Sequence, residues 1–129
     1  MTYKDLNVYQ RIYKVAIDLH LFLKKNQKDF TPNEVEELIG IAKRIIGDIA
    51  ESFTQRSPKA KRFLNFRALD SINKLMMELD FLHDTKRLPK DQYDHLYTET
   101  QISGRQLYKY TQSIPVDAKA SVQKKTVAA

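Results

Sequence analysis

The sequence predicts an all-α fold, an antiparallel up-down-up-down four-helix bundle over residues 1–114, followed by a disordered basic tail at 115–129. Apolar residues recur at alternating steps of three and four in separate stretches, which is the spacing of helices that bury one face. Only three glycines and four prolines interrupt the chain, and the prolines stand at the boundaries of these stretches. Short connections make consecutive helices antiparallel neighbours, so the pattern favours a bundle.

The first predicted helix spans residues 5–25. Asp5 is its predicted N-cap, because a carboxylate can accept hydrogen bonds from first-turn N–H groups that lack a helical partner. Lys24 and Lys25 lie at the other end, where cations complement the helix dipole. The predicted core stripe consists of Leu6, Tyr9, Ile12, Tyr13, Ala16, Leu19 and Leu23.

The second helix has the strongest local start signal in the chain. Thr31 fits the N-cap, Pro32 the first helical position, and Glu34 the third, which together predict a capping box. Gly40 and Gly47 lie inside this helix, where each glycine costs about 1 kcal/mol relative to alanine. Their presence predicts a close helix approach or a slight bend. The apolar face consists of Val35, Leu38, Ile39, Ala42, Ile45, Ile46, Ile49 and Phe53.

Two further helices follow proline signals. Ser57 and Pro58 predict the start of the third helix, which is expected to extend to about residue 86. Leu88 and Pro89 predict the next break, and Pro115 the end of the fourth helix. The inward residues are expected to be Ala60, Phe63, Leu64, Ala68, Ser71, Ile72, Leu75, Leu79 and Leu82 in the third helix, and Tyr93, Leu96, Thr100, Ser103, Leu107, Tyr110 and Ile114 in the fourth.

Composition limits the possible classes of protein. The absence of cysteine excludes disulfides and thiolate chemistry, and no apolar run approaches the ~18 residues of a membrane span. The chain is therefore expected to be soluble, cytoplasmic and without a membrane partner.

The formal net charge is +6, from 22 Lys and Arg against 16 Asp and Glu. This excess fits either a solvated surface or a surface that binds a polyanion.

The candidate catalytic and metal-binding residues do not form a known pattern. A di-metal bundle core needs inward glutamates and two Glu-x-x-His motifs, whereas this chain offers only Asp80-x-x-His83 and Asp91-x-x-x-His95. Asp48 is interpreted, with Glu51, as a carboxylate that pairs with Arg or Lys on a neighbouring helix or subunit. The sequence therefore predicts a protein that is not an enzyme and has no catalytic residue, metal or cofactor.

A basic segment joins the second and third helices. No acid lies between Glu51 and Asp70. The predicted nucleic-acid-binding residues are Arg56, Lys59, Lys61, Arg62 and Arg67, with Lys43, Arg44, Arg105 and Lys109 as secondary candidates. Without a base-reading motif, their contacts are expected to be mainly to phosphates of RNA or DNA and sensitive to salt. Bundle topology predicts that several of them converge on one end with tail residues Lys119, Lys124 and Lys125. The alternative is a solvated face.

Apolar residues outside the main stripes widen the predicted apolar faces. They are Phe22, Phe66, Leu69 and Tyr108. Such positions are typical of a subunit interface, so the sequence predicts a homo-oligomer, against the alternative of a broad monomer core.

Several short segments resemble a known family. Residues 3–11, YKDLNVYQR, resemble the opening F-K-D-L-x-V-W-Q-K of a small bacterial four-helix-bundle family that includes proteins encoded within 23S ribosomal RNA intervening sequences. DIAES at 48–52 is similar to its N-I-A-E-G, and FLNF at 63–66 to its F-L-N-I. LDFLHDTK at 79–86 and GRQL at 104–107 look more like its accessory variability determinant (Avd) branch, whose members accompany the reverse transcriptase of diversity-generating retroelements.

The resemblance covers about residues 3–112 and carries expectations of its own. It implies a ring-like homopentamer of bundles with a basic surface, no catalysis, and nucleic-acid binding. In the Avd branch it also implies a reverse transcriptase partner. The sequence-based alternatives are an intervening-sequence-encoded bundle protein and a protein-interaction scaffold that does not bind nucleic acid.

Overall fold

A computed structural model describes residues 1–115, and within that range it contains four α-helices, two short 3-10 turns and no strand. The helices are α1 (Asn7–Lys25), α2 (Pro32–Thr54), α3 (Pro58–Asp84) and α4 (Lys90–Ser113), and the turns are Tyr3–Asp5 and Gln27–Asp29. The predicted all-α class is therefore confirmed. Of the predicted tail at 115–129, all but Pro115 lies outside the described residues, as do Lys119, Lys124 and Lys125.

The four helices form a closed square. Each helix packs against its neighbours in the chain, and α4 also packs against α1. Late residues of one helix meet early residues of the next, as Asp48 of α2 meets Arg67 of α3 and Asp80 of α3 meets Tyr93 of α4. This is the predicted up-down-up-down order. One end of the bundle, which we call the Ser57 end, therefore holds the starts of α1 and α3 and the ends of α2 and α4.

The core is aliphatic and runs the length of the bundle. Its fully buried members include Ile12, Leu19, Ile41, Ile45, Ile72, Leu75, Leu79, Leu96 and Leu107. Thr100, Ser103 and Thr111 are also buried on α4, where the hydroxyls of Thr100 and Thr111 donate to carbonyls four residues earlier at 2.7 and 2.6 Å. These internal hydrogen bonds remove the cost of burying the hydroxyl groups. None of the helices within residues 1–115 combines the length and apolar character that crossing a membrane requires.

Two aromatic residues predicted to lie in the core are exposed. Tyr13 is 47% exposed and Phe63 is 64% exposed, so both predictions are wrong. On α1 the core face instead includes Val8, Val15 and Phe22. The face that packs inward is rotated toward these residues, and Tyr13 therefore falls on the outer side.

The helix starts agree with the capping residues except at α1. The Thr31 hydroxyl accepts from the Glu34 N–H at 3.1 Å, and the Glu34 carboxylate accepts from the Thr31 N–H at 2.9 Å, so the predicted capping box is confirmed. The Ser57 hydroxyl likewise accepts from the Ala60 N–H at 3.3 Å. Asp5 does not cap α1. Its carboxylate accepts from the Thr2 N–H at 2.8 Å in the capping box of the 3-10 turn before the helix.

Helix α3 ends at Asp84, two residues before the predicted end. Lys86 adopts a left-handed conformation with φ of 64°, which cannot continue a right-handed helix. The next N–H, that of Arg87, donates to the Leu82 carbonyl at 2.9 Å. This hydrogen bond satisfies a carbonyl that the last turn leaves without a partner.

The interior glycines of α2 face open space among residues 1–115. A Cβ atom at Gly40 or Gly47 would meet no heavy atom within 4 Å, so the close approach predicted there is not made within the described residues. The close approach occurs at Gly104 instead, where a Cβ would lie 3.3 Å from Cγ2 of Ile72. Helices α3 and α4 are therefore in near contact at that level.

Candidate nucleic-acid interface

Lys61 fastens the turn between α2 and α3. Its ammonium donates to the carbonyls of Ser52 and Phe53 at 3.2 and 3.1 Å, at the C-terminal end of α2. The buried Ser52 hydroxyl in turn donates to the Lys61 carbonyl at 3.1 Å. The Ser52 carbonyl also accepts from the Gln55 N–H at 3.2 Å. Lys61 thus adds a donor at the end of α2, and its charge faces the negative end of the helix dipole.

Arg67 is engaged by a buried acid. Its Nε donates to Oδ2 of Asp48 at 3.1 Å and its Nη2 to Oδ1 at 2.7 Å, which makes a bidentate ion pair between α3 and α2. Asp48 is 7% exposed. Hydrogen bonding to Asp48 raises the pKa of Arg67, and Glu51 adds a weaker attraction. The interpretation of Asp48 as a carboxylate that pairs with a cation of a neighbouring helix is confirmed.

Three cations of the basic segment have no such partner. Within residues 1–115, Arg56, Lys59 and Arg62 take part in no ion pair. Arg56 and Lys59 are exposed, and Arg62 is partly exposed. We call these three residues the basic cluster.

The position of the basic cluster is not explained by folding. Lys59 and Arg62 lie in the first two turns of α3, where the positive end of the helix dipole disfavours cations. The first turn of α3 contains no acidic residue to offset them. An anion bound from outside would be favoured both by the basic cluster and by the helix dipole.

The secondary candidates are divided between two places. Lys109 is exposed near the end of α4, so it lies at the Ser57 end with the basic cluster, and Arg105 lies one turn further from that end. Lys43 and Arg44 lie midway along α2 and do not join the cluster. Lys43 instead lines a groove between α1 and α2.

That groove is a surface that sequence reasoning missed. It has a volume of 660 Å³ and is lined by Tyr13, Ala16, Ile17, His20, Leu21, Val35, Glu36, Ile39, Gly40, Lys43 and Ile46. Tyr13, Ile17 and Leu21 are 47%, 44% and 56% exposed and follow each other at four-residue steps. We call this surface the α1–α2 groove. The signal was present in the four-residue spacing of these α1 residues, which forms a second apolar stripe.

Acidic, tyrosine and histidine side chains serve as links between elements. The Tyr93 hydroxyl donates to Asp80 Oδ1 at 2.5 Å, and the His83 ring stacks on Tyr93 with a centroid distance of 4.3 Å. The hydrogen bond raises the pKa of Tyr93 to about 12. Nε2 of His95 lies 2.8 Å from Oδ2 of Asp18 across α1 and α4. In the described part of the chain, no group of three or more His, Cys, Asp or Glu side chains is arranged to hold a metal ion.

Comparison with known proteins identifies no relative of this chain. Neither a protein-family model, nor a curated protein, nor a solved structure matches the chain. The features of the chain that bear on function are the basic cluster, the exposed apolar surfaces and the short segments that resemble the bundle family.

Proposed function

We propose that this protein is a non-catalytic nucleic-acid-binding bundle that holds the phosphate backbone of RNA or DNA at its Ser57 end. The observation that carries the proposal is the basic cluster: Arg56, Lys59 and Arg62 have no ion-pair partner within residues 1–115 and lie where the α3 dipole disfavours cations. Lys109 adds positive charge at the same end, and Lys61 and Arg67 contribute less because they are bound internally.

Replacing the three cations of the basic cluster tests the proposal. In the triple variant with Arg56→Gln, Lys59→Gln and Arg62→Gln, affinity for a fluorescent single-stranded oligonucleotide should fall. The slope of log affinity against log salt should flatten by about 0.7 for each phosphate contact removed. Fluorescence anisotropy over a range of salt concentrations measures both.

The matched control changes three cations at the opposite end. Lys24, Lys25 and Lys28 are exposed at and just beyond the end of α1, so their replacement by Gln removes the same net charge. We expect this variant to keep nearly the same salt slope as the unaltered protein. Equal losses in both triple variants would attribute binding to net charge alone, and the site at the Ser57 end would be rejected.

The resemblance supports a more specific form of the proposal. The segments at 3–11, 48–52, 63–66, 79–86 and 104–107 are similar to the intervening-sequence and Avd bundle proteins. On that basis the protein is proposed to be a cytoplasmic, Avd-type accessory factor of a diversity-generating retroelement that binds its reverse transcriptase. Co-purification with a reverse transcriptase from a neighbouring gene tests this partner. A neighbouring ribosomal RNA gene without a reverse transcriptase would favour the intervening-sequence branch.

The second candidate function is self-assembly or scaffolding through the α1–α2 groove. Tyr13, Ile17 and Leu21 are large apolar residues that folding leaves in water, and contiguous apolar surface of this kind marks protein contacts. We propose that copies of the chain associate there, and by resemblance that they form a ring-like homopentamer.

Sedimentation velocity on a charged variant tests this assembly. Ile17→Lys places a second cation in the groove near Lys43, so the assembly should dissociate to smaller species. Met77→Lys is the matched control, because Met77 is 53% exposed on α3 and lies outside the groove. A sedimentation coefficient of a single subunit for the unaltered protein would exclude the assembly.

A further inference from the structure

The outer face of the first turns of α3 alternates basic and aromatic side chains. Phe63 is 64% exposed and Phe66 is 42% exposed. Lys59 precedes Phe63 by four residues and Arg67 follows it by four, so these side chains are neighbours along one helix face. No acid lies in the sequence between Glu51 and Asp70.

Arg67, which is held by Asp48, lies over the Phe63 ring. The Arg67 guanidinium carbon lies 5.7 Å from the ring centroid, within the range of a cation–π contact. The same guanidinium makes two hydrogen bonds to buried Asp48, at 3.1 and 2.7 Å. Asp48 therefore fixes Arg67, and Arg67 supports one side of an aromatic ring whose surface is otherwise largely open to water.

We propose that Phe63 and Phe66 form a stacking platform for the bases of a single-stranded nucleic acid whose phosphates are held by Lys59 and Arg62. The inference rests on the proposed function and narrows its ligand from RNA or DNA in general to an unpaired strand. Single-strand-binding proteins combine a basic surface with aromatic rings in this way, because every base has a face that can stack. Bases in a duplex are already stacked on each other and do not offer that face.

Charge favours a nucleic acid over a second copy of the chain as the occupant of this platform. Lys59 and Arg62 flank the platform without an ion-pair partner within residues 1–115, so two copies meeting through it would bring like charges together. A strand of phosphates complements the same charges. The α1–α2 groove, by contrast, is mainly aliphatic and is the surface proposed for contacts between copies.

An abasic probe separates stacking from phosphate binding. Full-length protein is titrated into two fluorescent oligomers of about 16 nucleotides, which is the upper site size for a single-strand-binding domain. One is a thymidine oligomer, and the other has the same phosphates but no bases.

In the double variant Phe63→Ala with Phe66→Ala, affinity for the thymidine oligomer should fall by about 5- to 150-fold for each base that no longer stacks on a phenylalanine ring. Affinity for the abasic oligomer should stay within about twofold of the unaltered protein, since phosphate contacts do not depend on the rings.

The double variant Phe63→Tyr with Phe66→Tyr is the matched control, because it keeps both rings and should retain thymidine binding. Equal loss on the two oligomers, or no loss on either, would overturn the platform. Failure of both oligomers to bind the unaltered protein would instead reject the proposed function itself. Sedimentation velocity tests whether a second copy of the chain occupies the platform instead. If the unaltered protein is a multimer and the double alanine variant sediments as a smaller species, then a second copy covers the rings and the proposal is wrong.

Discussion

The guanidinium of Arg67 holds the buried carboxylate of Asp48 through two hydrogen bonds, at 2.7 and 3.1 Å, and thereby joins α3 to α2. The pair is asymmetric, because the Arg67 side chain is 52% exposed and that of Asp48 only 10%. Removing the arginine therefore leaves a carboxylate with little access to water. Removing the carboxylate leaves a cation that solvent can still hydrate.

This asymmetry predicts the order of stability among three variants. Arg67→Gln should be the least stable, because leaving Asp48 without its partner costs about 1–3 kcal/mol. The double variant Arg67→Gln with Asp48→Asn should recover part of that loss, since no buried charge remains. Asp48→Asn alone should lose the least stability, because the exposed Arg67 guanidinium remains hydrated, so the double variant should fall between the two single variants. Urea denaturation followed by circular dichroism measures the order, and additive losses in the double variant would contradict coupling between the two side chains.

The glycines of α2 provide a second prediction. Because a Cβ at Gly40 or Gly47 meets no heavy atom within 4 Å, replacement by alanine should raise the free energy of unfolding by about 1 kcal/mol at each position. Gly104→Ala is the matched comparison. Its Cβ would lie 3.3 Å from Ile72, so it should gain less than the other two variants or lose stability. Denaturant midpoints at a low protein concentration measure these differences.

Variants at Gly40 and Gly47 also separate the contribution of α2 to folding stability from its proposed contribution to self-association. Gly40 lines the α1–α2 groove and Gly47 does not. If copies of the chain meet in that groove, Gly40→Ala should alter self-association while Gly47→Ala leaves it unchanged. A loss of stability in Gly40→Ala at low protein concentration would contradict the open space found around its backbone.

Local signals predicted the helix boundaries well, and rotation about a helix axis was the feature they did not determine. Thr31, Ser57 and their following prolines specify helix starts within a few residues, so sequence alone located them. Helix α1 carries two neighbouring apolar stripes, one with Val15 and one with Tyr13, and periodicity cannot decide between them. Packing of the other three helices makes that choice.

For the candidate site, the sequence predicted the basic segment but did not predict which of its cations are already paired. The basic segment is visible in the sequence because it lacks acids over many residues. Which of its cations are already paired depends on contacts with α2: Arg67 reaches Asp48 and Lys61 reaches the end of the helix, whereas Arg62 makes no ion pair within residues 1–115. Those contacts join residues of different helices, and local patterns in a single sequence do not predict them.

Acid should weaken the start of α2 through Glu34. The Thr31 N–H lowers the pKa of Glu34 below its ordinary value of 4.5, with Arg87 as the next cause. Because the folded pKa is lowered, this carboxylate stabilises the fold above pH 4.5 and loses that contribution as pH falls through the folded pKa. Glu34→Gln should therefore flatten the loss of stability on acidification, measured as urea midpoints at several pH values. Glu37→Gln, on the exposed face of α2, is the control and should keep the original slope.

At high pH the corresponding group is Tyr93, whose hydroxyl donates to Asp80 at 2.5 Å and whose pKa is raised to about 12. A raised folded pKa means that the hydrogen bond stabilises the fold fully below the ordinary value of 10.0 and loses that contribution as pH rises toward about 12. Tyr93→Phe should cost about 1–2 kcal/mol at neutral pH, since it leaves Asp80 without this donor.

Ultraviolet titration of tyrosinate formation tests the assignment of Tyr93 directly. The chain has seven tyrosines, and the last to ionise should disappear in Tyr93→Phe. Tyr108→Phe is the control, because Tyr108 is 50% exposed and donates no hydrogen bond to a carboxylate within residues 1–115, so the late phase should remain in that variant. If a tyrosine still ionises late in Tyr93→Phe, then the late ionisation belongs to another tyrosine, and the hydrogen bond to Asp80 does not keep the Tyr93 hydroxyl protonated. The link between α3 and α4 at that level would then depend on the stacking of His83 on the Tyr93 ring, which the phenylalanine variant retains.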